Sequence, residues 1–494
     1  MRILIRTDAS PEIGGGHLMR CLTLAGEAAR RGHSVHFIVN AGELSQKVLA
    51  QGHSLTEQPP QTHQTDTSTP HAHWLTTTWQ TDASVTAKVA ASFAADWLVW
   101  DHYGLDARWV DAVRQIAPNL RVLALDDLDD RPLGSDIVLD PAHMEGEIRK
   151  YPVPVMLHGP AYALLRPEFA ALRKAALARR AGPVKRVLIA PGMMDAAGLA
   201  PLALDALNGT GLKAEVVMGS MAQSVDRVRE MVAYNPDWTL TLDATDMAVR
   251  MTAADLCIGA GGGTSWELCC LGLPSVVVAV AENQKMGVAI LARRGAAVSL
   301  DLGRLRSGGL GIAVTEAVAN AQKMSVAAAQ LCDGLGAGRL MDVLDADLRP
   351  LVLDDADLLF GWRNQPHIRA ASHDKTTLIW DDHLDWVKRT IARDDGLWRV
   401  YREDGQDVGF VSAVNQGSGR WKWSFYVGAA VAPRGTGGRM LSTFLSLLAS
   451  RPDCGEVEGE VLAENSTSRA LHNRLGFTAV PHDDDSVLVF RKRV

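Results

Sequence analysis

Gly14-Gly15-Gly16-His17-Leu18-Met19-Arg20-Cys21 is the stretch from which the rest of the chain is read. A short apolar strand, Ile3-Leu4-Ile5, and a turn signal, Ala9-Ser10-Pro11, precede it. After it the spacing turns helical, with Leu18, Cys21, Leu22, Leu24, Ala25, Ala28 and Ala29 on one face. Three glycines and a histidine thus sit on a strand-to-helix turn. Glycine lets backbone N–H groups approach a ligand closely, and a helix N-terminus favours anions. A histidine at such a turn either caps the helix or moves protons near neutral pH. Glycine-rich turns in α/β folds commonly hold a phosphate. The remaining sequence has to decide between a tight turn and a ligand site.

At 494 residues the chain exceeds one ordinary core, and ~150 residues per domain suggests about three. A composition 47% hydrophobic and 22% charged is globular. The net charge of −7 speaks against nucleic-acid binding and against a basic membrane anchor. Met1 runs directly into a strand pattern with no signal peptide, and no apolar run approaches the ~20 residues of a membrane span. Cys21, Cys257, Cys269, Cys270, Cys332 and Cys454 form neither C-x-x-C pairs nor a disulfide framework. These features predict a reduced, soluble, cytoplasmic protein without a structural metal.

Residues 1–165 alternate strand and helix patterns. Ser34 to Val39 is a short buried strand, and residues 56–73, rich in Pro and Thr, read as a surface loop. His63, His71 and His73 lie in that loop, with no acidic or cysteine partner at metal-ligand spacing. Strand Trp97 to Trp100 ends in Asp101-His102-Tyr103-Gly104-Leu105-Asp106, strand Arg121 to Leu125 in Asp126-Asp127, and strand Ile137 to Leu139 in Asp140. Carboxylates past strand C-terminal ends stand where open parallel sheets bind ligands, or they cap helices. A bridge at 159–169 and a basic helix over 168–180 lead to a second βα series from Val184. Its strand 255–258 runs into Gly259-Ala260-Gly261-Gly262-Gly263-Thr264-Ser265-Trp266-Glu267, the better phosphate candidate. Amides of Gly262 to Ser265 can form an anion nest, with the Thr264 and Ser265 hydroxyls adding bonds. Glu267 either accepts from a ribose diol or complements the helix dipole. Buried strand 274–280 ends in Ala281-Glu282-Asn283-Gln284. Two doubly wound halves facing one cleft can grip a nucleotide sugar.

In order, GGGHLMRC, DHYGLD (101–106), GPAYALLRPEF (159–169), GAGGGTSWELCCLGLPSVVVAVAENQ (259–284) and DGLGAGRL (333–340) resemble the UDP-sugar hydrolases of pseudaminic acid biosynthesis. That family is similar in fold to the glycosyltransferase B group, including the lipid II-forming N-acetylglucosaminyltransferase. The resemblance covers nearly all of residues 1–345. It implies hydrolysis of UDP-2,4-diacetamido-2,4,6-trideoxy-β-L-altropyranose with inversion, without a metal, and it assigns water activation to His17. Gly15 and Gly16 would admit the sugar end. Arg20 would orient sugar or form a salt bridge, and Asp101 and Tyr103 are the next candidates for sugar contacts. Gly262, Gly263, Thr264, Ser265, Glu267, Asn283 and Gln284 would hold the UDP moiety. One departure is Pro191-Gly192-Met193-Met194-Asp195, where relatives read Gly-Gly-Ser-Asp-like, so a hydroxyl is lost.

The last 150 residues hold six of the thirteen tryptophans, which signals a differently built core. Leu348-Arg349-Pro350 restarts the chain; helices are expected over 354–361 and 377–391, and strands over 398–401, 408–411, 421–431 and 457–462. Arg434-Gly435-Thr436-Gly437-Gly438-Arg439, Asn465 and His472-Asn473-Arg474-Leu475-Gly476-Phe477 resemble the GNAT acetyltransferases, within them the amino-sugar N-acetyltransferases of the same pathway. The resemblance implies that Arg434, Gly435, Gly437 and Gly438 hold the diphosphate of acetyl-CoA, the co-substrate, and that Asn465 meets its pantetheine arm. The strand near 426–430 would supply the oxyanion contact. Arg439 replaces a small residue of the R-x-x-G-x-G pattern and either crowds the diphosphate or binds it. His472 replaces the usual tyrosine as acid candidate, or is a surface helix histidine.

The expected architecture is α/β: two Rossmann-like doubly wound domains of glycosyltransferase B type (1–165 and 166–345), then a GNAT domain (346–494). The expected function is a bifunctional enzyme that acetylates a UDP-amino sugar and then removes UDP. Its partners are small molecules, with no nucleic acid and no membrane insertion. The rivals are a glycosyltransferase and a UDP-sugar sensor with an inactive acetyltransferase domain.

Overall fold

The computed structural model describes residues 1–494 apart from 11–12, 43–44, 61–68, 144–148, 394, 404, 450, 452 and 481–483. The chain divides into two compact units, residues 1–153 with 157–339, and residues 154–156 with 340–494.

Two sheets are built from residues 2–300. Strands β1 (Arg2–Thr7), β2 (Ser34–Asn40), β3 (Ser54–Gln58), β4 (Trp97–Asp101), β5 (Arg121–Leu125), β6 (Ile137–Asp140) and β7 (Val155–His158) run in the order β3-β2-β1-β4-β5-β6-β7. β1 to β6 pair in parallel. Nearly every residue of β1 and β4 is buried, which is why both read as continuous apolar runs: helices cover both faces of a parallel sheet. The strand order reverses between β1 and β4, the crevice where such sheets bind ligands. Thr7 lies opposite Asp101 in the register, so the turn after β1 and the end of β4 meet there.

The second sheet repeats the plan. β8 (Arg186–Ala190), β9 (Lys213–Met218), β10 (Trp238–Leu242), β11 (Leu256–Ala260), β12 (Ser275–Val278) and β13 (Ala297–Leu300) run β10-β9-β8-β11-β12-β13, all parallel. Its reversal lies between β8 and β11, so the glycine turn after β11 stands at the second switch point.

The second unit is built on a mixed sheet. β14 (Ala346–Pro350), β15 (Gly396–Glu403), β16 (Gln406–Asn415), β17 (Arg420–Val427), β18 (Glu456–Leu462), β19 (Thr478–Val480) and β20 (Val487–Arg493) run β14-β15-β16-β17-β18-β20-β19. Neighbours pair antiparallel except β17 and β18, which are parallel with Arg420–Trp423 opposite Glu456–Gly459. Beyond that register β17 runs on to Val427 and β18 to Leu462. Trp421, Trp423, Phe444 and Phe490 fill one core, and Trp362, Trp398 and Phe410 another.

Some expectations shift. Ala29 is exposed rather than on the buried face of its helix. The strand expected over 421–431 ends at Val427, because the Gly428 and Ala429 amides both donate to the Val408 carbonyl and turn the chain. The helix expected from 377 starts at Trp380. The one expected over 354–361 is a 3₁₀ turn, Leu353–Asp355, followed by the helix Ala356–Arg363. The expected loop 56–73 begins inside β3 and ends in a 3₁₀ turn, Ala72–Trp74. Pro11 and His63 lie outside the described residues.

Candidate active site

The helix after the first glycine turn spans Gly16–Arg30, with Gly15 at its N-cap and no side-chain cap. His17 therefore does not cap it. Its Nδ1 lies 2.5 Å from Asp101 Oδ1. A ring N–H that donates to a carboxylate leaves the lone pair on Nε2. Arg20, one turn on, donates through Nε to Asp101 Oδ2 and through Nη2 to Oδ1, both at 2.6 Å. Cys21 Sγ lies 3.7 Å from Oδ2. His17, Arg20 and Cys21 are three and four residues apart, which puts them on one helix face. Burial pushes the Asp101 carboxyl up, but Arg20 and then His17 outweigh it and hold the group well below the usual carboxylate range. Asp101 is thus an ionised, fully buried carboxylate.

This corrects one expectation. Asp101 stands behind His17 with both oxygens engaged and 0% exposure, so it has no lone pair to offer a sugar. Arg20 is a salt-bridge residue here, with a second contact to Asp127 at 3.7 Å. Tyr103 is also buried; its hydroxyl donates to Asp127 in a short hydrogen bond, and the Asn283 side chain of the second half lies near it. Burial, then Asp127, raises the phenol well above its ordinary value. The ring centroids of His17 and Tyr103 are 4.6 Å apart at 82°. His17, Arg20, Asp101, Tyr103 and Asn283 are thereby brought together. Asp127 and Trp74 join them without having been singled out by the sequence. Asp127 was visible only as one of several strand-end carboxylates, and Trp74 was hidden in a polar stretch. Asp140, beside Asp127, is pushed up to about 8, first by burial and then by that neighbour. Of the expected caps, Asp106 is one: it accepts from the Arg108 amide. Below the turn Arg6, Asp8 and Asp82 form a fully buried ion-pair network, and His102 Nε2 lies 3.3 Å from Asp8.

The second glycine turn opens the helix Gly263–Cys270. Gly262 has φ 134° and ψ −158°, a conformation open to glycine alone. Gly262 and Gly263 are exposed and Thr264 half-exposed. Ser265 departs from the expected nest: its amide donates to the Gly262 carbonyl at 2.9 Å and its hydroxyl is buried without a hydrogen-bond partner. Gln284 is committed to the loop, its Oε1 accepting from the Val280 amide at 3.0 Å. Glu267 pairs with Arg166 at 3.6 Å, and burial raises its carboxyl. In the departing loop, Met193 and Met194 are exposed, while Asp195 caps the next helix through the Leu199 and Ala200 amides.

In the second unit the Arg434–Arg439 turn opens the helix Thr436–Ala449. Arg434 and Gly435 are exposed, and Gly437 and Gly438 half-exposed. Arg439 folds back: its Nε donates to Glu403 in a short ion pair, Nη1 to the Arg434 carbonyl and Nη2 to Thr436 Oγ1. The guanidinium is thereby occupied by Glu403 and does not stand free over the turn. Asn465 caps the helix Ser466–Arg474 through the Ser468 amide at 3.0 Å, which commits its side-chain oxygen. The oxyanion expectation changes, since the Gly428 and Ala429 amides already donate to Val408. His472 is corrected outright. It is 1% exposed, its Nδ1 donates to the Ser468 carbonyl at 2.8 Å, and its Nε2 accepts from Trp423 Nε1 at 3.2 Å. Burial lowers its pKa. A neutral ring with both nitrogens engaged has no proton to give a thiolate.

Among the described residues no group of three or more His, Cys, Asp or Glu is assembled to hold a metal ion. No described helix is long and apolar enough to cross a membrane.

Comparison with known proteins follows the same division. Residues 346–478 match the family described as acetyltransferase (GNAT) domain. The chain is 30% identical over 167 residues to the spore coat polysaccharide biosynthesis protein SpsG of Bacillus subtilis (strain 168), covering 33% of this chain and 47% of that protein. It thus spans about half the length of that relative. It is 23% identical over 439 residues to the uncharacterized protein MJ1062 of Methanocaldococcus jannaschii, covering 84% of this chain and 83% of that one. Among solved structures it is similar to Acinetobacter baumannii MurG, with TM-score 0.51 and 17% identity over 69% of this chain and 98% of that chain; at that identity the likeness concerns fold. The chain therefore joins Rossmann-like domains of the glycosyltransferase B type to a C-terminal GNAT acetyltransferase domain.

Proposed function

We propose that the chain is a bifunctional cytoplasmic enzyme. Its GNAT domain acetylates the 4-amino group of a UDP-amino sugar with acetyl-CoA. Its Rossmann-like domains then hydrolyse UDP-2,4-diacetamido-2,4,6-trideoxy-β-L-altropyranose to UDP and the free sugar, with inversion. We place the boundaries near 165 and 345. The observation that carries the hydrolase reading is the His17 imidazole, whose Nδ1 is tied to an ionised, buried Asp101.

In this reading Nε2 takes a proton from water as the water oxygen bonds to the anomeric carbon. The bond from that carbon to the UDP oxygen breaks, and its electron pair leaves with UDP. Asp101 stabilises the imidazolium that forms, and Arg20 keeps Asp101 ionised. Gly262, Gly263 and Thr264 at the second glycine turn meet the diphosphate. In the GNAT domain the exposed turn at Arg434, Gly435, Gly437 and Gly438 meets the acetyl-CoA diphosphate. The Asn465 amide nitrogen is left for the pantetheine arm. The nitrogen of a neutral sugar amine bonds to the acetyl carbonyl carbon, the carbon–sulfur bond breaks with its electron pair on the coenzyme A sulfur, and the proton lost by the nitrogen ends on that sulfur, without a protein nucleophile. The sensor alternative lost its motivating feature when Arg439 folded onto Glu403.

The test is incubation of the full chain with UDP-4-amino-4,6-dideoxy-N-acetyl-β-L-altrosamine, with and without acetyl-CoA, products read by mass. The expected products are the acetylated UDP-sugar, then UDP and free sugar. Release of UDP only when an acceptor is added would make the first unit a transferase. Tight binding without turnover would restore the sensor.

A further inference from the structure

The function above makes no use of the segment Thr69–Leu75, yet it is fastened beside His17. Ala72 and Leu75 are buried anchors. Thr69 Oγ1 lies 3.4 Å from the Gly104 carbonyl it donates to. The His71 carbonyl passes so near Gly104 that a Cβ there would meet it at 2.6 Å, so only glycine lets the segment close on the turn after β4. The 3₁₀ turn Ala72–Trp74 then delivers the Trp74 ring. That ring stacks on Tyr103 at 5.6 Å and 29°, packs on His71 at 4.6 Å, and stands edge-on to His17 at 6.1 Å and 77°. Tyr103 is buried, but Trp74 is only half-buried. A large apolar ring thus keeps some open surface next to His17, whose Nδ1 is held by Asp101.

Such a surface discriminates by size. An acceptor that gives its proton to His17 comes to lie beside the indole; water brings only its oxygen there, whereas an alcohol brings a carbon as well. We propose that Trp74 walls the acceptor side of His17, admitting water and turning away larger hydroxyls, and so sets hydrolysis over sugar transfer. The inference rests on the hydrolase reading and adds its specificity determinant. The chemistry is the same for either acceptor. Its oxygen bonds to the anomeric carbon, its proton passes to His17 Nε2, and the carbon–oxygen bond to UDP breaks with the pair leaving on UDP. Water gives the free sugar, and methanol gives the methyl glycoside of the same inverted configuration.

The experiment offers methanol with the UDP-diacetamido sugar to the full chain, and measures methyl glycoside against free sugar by mass. Wild type is expected to give free sugar. Trp74→Ala is expected to shift the methanol-to-water partition by about tenfold or more, the discrimination a pocket exerts on one methyl group, and Trp74→Phe to stay near wild type. A Trp74→Ala protein that hydrolyses with an unchanged partition overturns the proposal. If melting shows that Trp74→Ala does not fold, Trp74→Leu carries the test: a raised partition supports the wall and an unchanged one overturns it. Absence of UDP release from the wild-type chain removes the hydrolase reading and the role of Trp74 together. That result is distinct from an unchanged partition in a working hydrolase.

Discussion

His17 and His472 each follow from a motif on a helix, and each was a candidate for proton transfer, but their surroundings differ. His17 sits in the first turn of its helix with one nitrogen on a carboxylate. His472 sits in the last turn of its own, with one nitrogen on a carbonyl and the other on an indole. The carboxylate fixes the first ring through its Nδ1. For His472 burial disfavours the cation and outweighs the Ser468 carbonyl, which favours it, so the ring is held neutral. Trp423, Phe477 and Phe490 surround His472, so protonating it would bury an uncompensated charge. The difference teaches that a histidine's role is set by what its second nitrogen meets.

The largest expected effect strikes the first histidine. His17→Ala should slow UDP release by about 10²–10⁴-fold, the range of a general base, and leave acetyl transfer unchanged. Loss of both activities would mean that the two sites are not independent. Asp101→Asn comes next, at on the order of a hundredfold in kcat with KM little changed, as for other partners that orient a functional histidine. The same substitution carries a pH signature. The Asp101 carboxyl is lower in the folded state than in the unfolded chain. Its stabilisation is therefore present above the ordinary carboxylate range and lost as pH falls through the depressed value. Acid unfolding curves of wild type and Asp101→Asn should converge at low pH. A variant with undiminished turnover would reduce Asp101 to a packing residue.

The glycine turns and the alternation of strands and helices were legible because each leaves a local mark. Apolar runs, glycines and strand-end polar residues lie within a few positions of one another. The placement of His17 at the start of its helix was legible for the same reason. The state of Asp101 was not, because its oxygens are filled by residues more than eighty positions away, and nothing in a strand-end Asp says whether its lone pairs are free. Ser265 misled in the same manner: the sequence placed a hydroxyl at the turn, but the first helical turn rotates it inward. Trp74 was hidden by its neighbours, since a stretch of Thr, Pro and His reads as a surface loop until Gly104 is seen to receive it. Arg439 could be read as crowding the diphosphate or binding it because its partner Glu403 lies on a strand 36 residues away. For Asp101, Trp74 and Arg439 the missing information was a contact across the fold rather than a local propensity.

The smallest effect on activity should come from the second histidine. His472→Gln should leave acetyl transfer within a few-fold of wild type, because a neutral ring with both nitrogens engaged donates no proton. The cost should appear in stability instead, about 1–3 kcal/mol, as Trp423 and the Ser468 carbonyl lose well-placed partners in a buried site. The pH dependence separates this from a catalytic role. The His472 pKa is lower in the folded state than in the unfolded chain, so below about 6.5 the unfolded state binds the extra proton and stability falls with falling pH. Thermal unfolding between pH 5 and 8 should show that slope in wild type and a shallower one in His472→Gln. Acetyl transfer, measured over the same range, should keep its pH profile. A large fall in kcat with unchanged stability would return His472 to the role of acid and erase the contrast with His17.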